Sequence, residues 1–164
     1  LRSQAKMGKS PSELLSTINH FLTDDGMEGS FITACCLIFS QDGKEVTLAT
    51  AGHESILYMK SGKEFASLEA GEGLPLGLRA EEIYIEKSFT LEKGDLLLLY
   101  SDGALDARSQ DQERYGSDRL RESLSSKTSE SVEELLGGML EDLEEFRGKE
   151  PWADDLTLLA FKCV

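Results

Sequence analysis

The sequence predicts an α+β domain built from layers of helix and sheet. The predicted elements run helix, strands, helices and a last strand, which differs from the alternation of strand and helix in a doubly wound parallel fold. The run 96–100 has no polar face, and neither has the run 156–161. Such runs are typical of strands that are buried on both sides. Together these observations favour stacked sheets with helices outside them.

The first element is a helix predicted over residues 10–23. Ser10 can cap its N-terminus, Pro11 suits the first helical position, and Glu13 completes a capping box. The apolar residues that follow fall on one helical face: Leu14, Leu15, Ile18, Phe21 and Leu22. We expect the helix to end at the sequence Asp24-Asp25-Gly26.

A β meander is predicted over residues 31–68, with a turn at Asp42-Gly43. Its strands are residues 31–39, 46–50, 56–59 and 65–68. The segment 70–80 is rich in turn-forming residues and is predicted to be a loop. Strands are predicted again within 83–100, where Ile83 and Ile85 begin an alternating apolar pattern and the run 96–100 follows.

Helices are predicted within residues 115–147 and the last strand over 155–162. The longer helix has an apolar face from Val132 to Phe146, and Gly137-Gly138 should weaken it. Its acidic residues are predicted to form a solvated face: Glu141, Asp142, Glu144 and Glu145. The chain begins with neither a start methionine nor a signal peptide, so we interpret residues 1–164 as a single domain in a piece of a longer protein.

Composition excludes several classes of partner. The net charge of −14 disfavours binding to nucleic acid or to an anionic membrane surface, and no apolar run approaches the length of a membrane span. The three cysteines, Cys35, Cys36 and Cys163, have no zinc-binding spacing. They are predicted to be reduced, which favours a cytoplasmic protein.

Two acidic segments are candidates for chemistry. Asp102 and Gly103 follow the apolar run 96–100, and Asp154 and Asp155 precede the last predicted strand. Carboxylates at strand ends suit hard divalent ions such as magnesium or manganese. Asp-Gly is also a common turn, and aspartate is common at strand edges, so a purely structural role stays open for both segments.

A series of motifs resembles one known family. Its members are Ala51-Gly52-His53, Leu74-Pro75-Leu76-Gly77, Leu91 to Gly103 (LEKGDLLLLYSDG), Tyr115-Gly116 with Arg119-Leu120, and Asp154 to Leu159 (DDLTLL). In this order and spacing, between about residues 10 and 161, the series is similar to the sporulation protein E/RsbU-type phosphatases. These are bacterial members of the metal-dependent, type 2C (PPM) protein serine/threonine phosphatases.

The resemblance implies a fold, a metal site and an activity. The implied fold is the PPM-type αββα four-layer sandwich, here with its N-terminal portion missing. Asp102 and Asp154 match ligands of a pair of manganese or magnesium ions, Asp155 is a second-ranked ligand, and Gly103 lies where the backbone approaches the site. Gly52 and His53 match a loop whose role is more structural than catalytic, and they remain candidates for a substrate loop.

The implied reaction is hydrolysis of phosphoserine or phosphothreonine by metal-activated water. The implied substrate is a regulatory protein such as an anti-anti-sigma factor, and the implied neighbour in the full-length protein is an upstream sensor domain. The family's first metal-ligand aspartates lie upstream of the motifs found here. We therefore expect the 164-residue chain to be inactive by itself, and an exposed sheet edge to allow a homodimer.

Two other functional classes are alternatives. One is a non-catalytic, phosphatase-like module that binds a partner in a sigma-factor signalling pathway. The other is a serine or histidine hydrolase, which is disfavoured because the sequence has only His20 and His53 and lacks a G-x-S-x-G nucleophile elbow.

Overall fold

The secondary structure is seen in a computed structural model that describes residues 8–24, 30–54, 56–61, 63–68, 73–127 and 131–164. Within these residues the helices are α1 (Pro11–Asp24), α2 (Asp102–Asp106), α3 (Gly116–Ser125) and α4 (Val132–Arg147). The strands are β1 (Ala34–Phe39), β2 (Glu45–Ala51), β3 (Ile56–Met59), β4 (Phe65–Leu68), β5 (Glu86–Thr90), β6 (Leu96–Tyr100) and β7 (Leu158–Lys162). The chain divides into a first unit, Leu1–His53 with Glu69–Leu91, and a second unit, Glu54–Leu68 with Glu92–Val164.

The first unit is an antiparallel sheet of order β1-β2-β5 with α1 packed on it. The turn at Gly43, where φ is +72°, joins β1 to β2. The buried core contains Leu15 of α1 and Ala49 and Ala51 of β2. The β meander predicted over residues 31–68 is wrong as a single unit, because β1 and β2 pair in this sheet whereas β3 and β4 belong to the other sheet.

Helix α1 begins with the predicted capping box. The Ser10 backbone N–H donates to Glu13 Oε2 at 2.8 Å, and the Glu13 backbone N–H donates to Ser10 Oγ at 3.4 Å. The predicted apolar face is wrong at one position, because the Phe21 side chain is 59% exposed. The predicted end at Asp25-Gly26 lies outside the described residues, as do the chain start and residues 70–72 of the predicted loop.

Strand β5 begins at Glu86, later than the predicted start at Ile83. It pairs with residues 45–49 of β2, whereas Gly52, beyond the end of β2, donates its backbone N–H to Gly73 O. The loop at Gly73 therefore lies where an extension of β5 would pair. Ile83 and Ile85 are exposed, and the residue between them that enters the core is Tyr84.

The second unit is an antiparallel sheet of order β4-β3-β6-β7. All five residues of β6 are buried, as predicted from its wholly apolar sequence. The core joins this sheet to the three helices of the unit and includes Leu98 of β6, Leu120 of α3 and Leu143 of α4. Strand β6 is therefore held on both edges and on its apolar faces.

Strand β7 is shorter and more exposed than predicted. It begins at Leu158 instead of residue 155, and the Leu159 side chain is 46% exposed. Leu158 and Ala160 pack against the core, so Leu159 points to the opposite face. Within the described residues β7 pairs only with β6, and the prediction of burial on both sides is wrong for this strand.

Asp95 fixes the start of β6. Its carboxylate is 2% exposed and accepts hydrogen bonds from Tyr58 Oη at 2.6 Å, the Ser61 N–H at 2.9 Å and the Glu92 N–H at 3.0 Å. Burial opposes ionisation, but these hydrogen bonds outweigh it, so the pKa of Asp95 lies below its ordinary value. The ionised carboxylate thereby ties β3 and the following turn to β6.

Helix α4 continues through Gly137 and Gly138, where the sequence predicted weakness. Gly138 lies under the Lys127 side chain, since a Cβ built there would be 2.5 Å from Lys127 Cε. Lys127 Nζ then reaches Asp142 Oδ2 at 2.7 Å, and Ser123 Oγ donates to the same carboxylate oxygen. Asp142 is therefore half-buried and does not belong to the predicted solvated face.

The two neighbouring cysteines are not reactive thiolates. Burial raises the pKa of the Cys35 thiol to about 12, with a further contribution from the neighbouring Cys36 thiol. Burial also raises the pKa of Cys36.

Among the described helices, none combines the length and apolar character that a membrane crossing requires.

Candidate metal and active site

The first acidic segment, Asp102 with Gly103, lies just after the end of strand β6. Asp102 directly follows Ser101 at the end of this buried strand and begins the short helix α2, which the sequence did not predict. The Gly103 backbone N–H donates to Asp102 Oδ1 at 3.0 Å. The Asp102 side chain is exposed while Gly103 is buried, so a carboxylate stands at the surface on a fixed backbone.

The second acidic segment lies between α4 and β7. The Arg147 guanidinium stacks on the ring of Trp152 at 4.7 Å, and Trp152 packs against the core of the second unit. Asp154 and Asp155 follow and are exposed. The Asp155 N–H donates to Asp154 Oδ1 at 2.7 Å, which restrains the Asp154 carboxylate.

The structure brings these two segments into contact at Gly103. A Cβ built on Gly103 would lie 2.5 Å from Asp155 O and 3.1 Å from Asp154 O. Only a residue without a side chain allows this approach of two backbones. The sequence singled out both segments, and the structure shows that they meet at this glycine.

Ser101 joins the segments further, although the sequence analysis assigned it no role. Its backbone N–H donates to Thr157 O at 3.0 Å, its hydroxyl donates to Asp155 O at 2.8 Å, and the hydroxyl oxygen accepts from the Thr157 N–H at 2.8 Å. The one available signal was its position beside Asp102. Serine next to a strand end is too common for that position to be informative.

The donors present suit a hard divalent ion. Asp102, Asp154 and Asp155 carry carboxylate oxygens, which magnesium and manganese prefer, and the missing Cβ of Gly103 leaves room for the two backbones to converge. Within the parts of the chain that the structure describes, no group of three or more His, Cys, Asp or Glu side chains is arranged to hold a metal. The oxygen donors therefore have the right chemistry for such an ion, but the described side chains do not form a three-ligand group.

Gly52 and His53 lie in the first unit, whereas the four other candidates lie in the second. Gly52 has φ of +62°, which favours glycine, and its N–H donates to Gly73 O at 2.7 Å. A Cβ at Gly52 would collide with the ring of Pro75. His53 is half-buried beside it. The contacts of Gly52 explain why glycine stands at this position, and the role of His53 stays a prediction.

Solved structures define the class of this fold. The SiaA-PP2C domain of Pseudomonas aeruginosa matches with a TM-score of 0.80 at 21% identity, over 94% of this chain and 60% of that one. The RsbU and RsbW domains of a Mycobacterium tuberculosis protein match with a TM-score of 0.80 at 25% identity, over 98% and 44%. RsbX in complex with magnesium matches with a TM-score of 0.63 at 17% identity, over 96% and 66%. The fold is that of a PP2C-type phosphatase domain, which confirms the predicted fold class.

The family follows from the sequence matches. The model of the stage II sporulation protein E (SpoIIE) family matches residues 1–164, and the chain belongs to this family. Phosphoserine phosphatase RsbU of Bacillus subtilis (strain 168) is 30% identical over 164 residues, covering 98% of this chain and 47% of RsbU. The chain thus spans about half the length of this relative. The resemblance drawn from the motifs is confirmed.

Proposed function

We propose that this chain forms part of the active site of a metal-dependent protein serine/threonine phosphatase. The observation that carries the proposal is the junction at Gly103, where the backbone of Asp154 and Asp155 meets the segment that bears Asp102. Asp102, Asp154 and Asp155 are all exposed on either side of this junction. The relative RsbU, named a phosphoserine phosphatase, supports the same reaction class.

In this proposal Asp102 and Asp154 hold manganese or magnesium, and Asp155 is an additional ligand. Gly103 keeps the two segments close, and the Asp155 N–H orients the Asp154 carboxylate. When bound, such ions lower the pKa of water and neutralise charge on phosphoryl oxygens. The magnesium complex of the structural neighbour RsbX supports this choice of ion. The ligands that complete the pair of ions come from outside the described residues.

The substrate that we propose is phosphoserine or phosphothreonine on a regulatory protein of the anti-anti-sigma type. The neighbour that combines RsbU and RsbW domains in one protein supports a place in such a signalling pathway. A sensor domain upstream, a cytoplasmic location and a homodimer complete the proposal. They extend what the family implies for the full-length protein.

The proposal is tested in the full-length protein with Asp102→Asn and Asp154→Asn variants. Asp111→Asn is the matched control, because Asp111 is an exposed aspartate of the second unit outside both acidic segments. Manganese binding is measured by calorimetry and turnover by phosphate release from a phosphoserine protein. We expect both site variants to lose binding and turnover and the control to keep them.

Two results would reject the proposal. Wild-type protein that hydrolyses no phosphoprotein but still binds its unphosphorylated partner would establish the non-catalytic binding module instead. Site variants that keep full metal affinity and activity would show that the acidic segments are structural.

A further inference from the structure

We propose that Ser101 is a positioning residue that holds the Asp154-Asp155 segment against Asp102 and thereby sets metal affinity. This inference rests on the proposed function and adds a residue that does not touch the ion. The Ser101 clasp, as we define it, consists of Ser101 and its three hydrogen bonds to Asp155 and Thr157.

The clasp continues the pairing of β6 with β7 past its last regular pair. Tyr100 and Leu158 are the last residues in register, and the Ser101 N–H then donates to Thr157 O at 3.0 Å. The Thr157 N–H donates to the Ser101 hydroxyl oxygen at 2.8 Å. The side-chain oxygen of Ser101 therefore takes the place of a backbone carbonyl oxygen at the point where the pairing of β6 with β7 ends.

The Ser101 hydroxyl also donates to Asp155 O at 2.8 Å. This carbonyl oxygen is the atom that lies closest to the position of a Cβ on Gly103. A hydroxyl acts as donor and acceptor at once, a combination that alanine lacks and threonine retains. One hydroxyl group thus fixes the carbonyl that packs against the Asp102-Gly103 backbone.

Loss of the hydroxyl leaves the Thr157 N–H and Asp155 C=O without these partners. The Asp154-Asp155 segment is then held by fewer contacts beside Asp102, although the carboxylates themselves are unchanged. Removing a residue that orients metal ligands without touching the ion typically weakens metal binding about 10- to 100-fold. The effect on manganese affinity should therefore be large compared with the effect on folding.

The test compares Ser101→Ala, Ser101→Thr and Ser125→Ala in the full-length protein. Ser125 is the matched control, because its hydroxyl bonds to Arg121 O within α3 and lies outside the clasp. Manganese affinity is measured by calorimetry, and hydrogen exchange of the Thr157 amide is measured without metal. We expect Ser101→Ala to bind manganese at least about tenfold more weakly, with faster exchange at Thr157. Ser101→Thr and Ser125→Ala should behave like wild type.

Three other outcomes would contradict the role proposed for Ser101. If Ser101→Ala kept wild-type manganese affinity and unchanged exchange at Thr157, the clasp would have no role in metal affinity. Loss of manganese binding in Asp102→Asn would, in that case, still support the proposed function. Equal losses in Ser101→Ala and Ser101→Thr would show that the hydroxyl is not the determinant, even if the alanine variant folds poorly. Absence of manganese binding by wild-type protein would overturn both proposals.

Discussion

Gly103 packs against the backbone of Asp155 so closely that a Cβ on Gly103 would lie 2.5 Å from the Asp155 carbonyl oxygen. Gly103 belongs to the helix α2, so the need for glycine comes from space and not from an unusual φ angle. The atoms in the way are backbone atoms, which cannot move aside as a flexible side chain can. The contact therefore couples the conformation of one acidic segment to that of the other.

Gly103→Ala should separate the two acidic segments while leaving every carboxylate in place. We expect the full-length variant to lose most of its manganese affinity and phosphatase activity, because the added methyl group displaces the Asp154-Asp155 backbone. Calorimetry with manganese and phosphate release measure the two effects. Gly137→Ala is the control, since a Cβ there meets no described atom within 4 Å. Full activity in Gly103→Ala would contradict the packing argument.

The glycine pair in α4 should respond unequally to alanine. Gly137→Ala should raise the free energy of unfolding by up to about 1 kcal/mol, because alanine favours a helix and the site is open. Gly138→Ala should gain less or lose stability, because its Cβ would displace Lys127 from Asp142. Urea denaturation of the two variants measures the difference. Equal stabilisation by both substitutions would show that the Lys127 side chain adjusts without cost.

Trp152 provides a signal for metal binding, since it is the single tryptophan of the chain and precedes Asp154 by two residues. Paramagnetic manganese held by Asp154 should quench its fluorescence. We expect saturable quenching by manganese in the full-length protein, provided that other tryptophans there are replaced by phenylalanine. Asp154→Asn should abolish the quenching, and magnesium should compete with it. Quenching that survives in Asp154→Asn would place the manganese elsewhere.

Asp95 should make the protein sensitive to acid. Its pKa is lowered in the folded state, so its contribution to stability is present above the unfolded pKa of about 3.9 and is lost as pH falls through the folded pKa. Tyr58→Phe removes one stabilising donor and should cost about 1–3 kcal/mol at pH 7, with a smaller difference in strong acid. Urea denaturation between neutral pH and strong acid measures both effects.

An Asp95→Asn variant checks the assignment of the acid sensitivity. It should show a shallower fall in stability over the acid range than wild type, and Asp111→Asn should follow wild type. Identical pH profiles for wild type and Asp95→Asn would assign the sensitivity to other carboxylates.

The 164-residue chain by itself should turn over phosphoserine protein poorly or not at all. Among the residues that the structure describes, no group of three or more His, Cys, Asp or Glu side chains is arranged to hold a metal, so a pair of ions should lack ligands here. Phosphate release by this chain, compared with the full-length protein at equal concentration, tests the point. Manganese-dependent turnover at the full-length rate would show that these residues complete the site unaided.

The local sequence determined much of this protein. The capping box at Ser10 and Glu13, the turn at Gly43 and the wholly buried strand β6 depend on residues near one another in the chain, and all are found. The motif series around Asp102 and Asp154 was sufficient to indicate the SpoIIE family. Such features are readable because capping, turn formation and hydrophobic periodicity are short-range effects.

Only the tertiary structure decided which residues meet. Ser101 and Asp155 are 54 positions apart, and their hydrogen bond depends on the register of β6 against β7, which no local pattern encodes. Likewise, it is Tyr84 that enters the core of the first unit while its neighbours Ile83 and Ile85 are exposed. Long-range pairing thus selects, among locally plausible segments, the contacts that bring the acidic segments together.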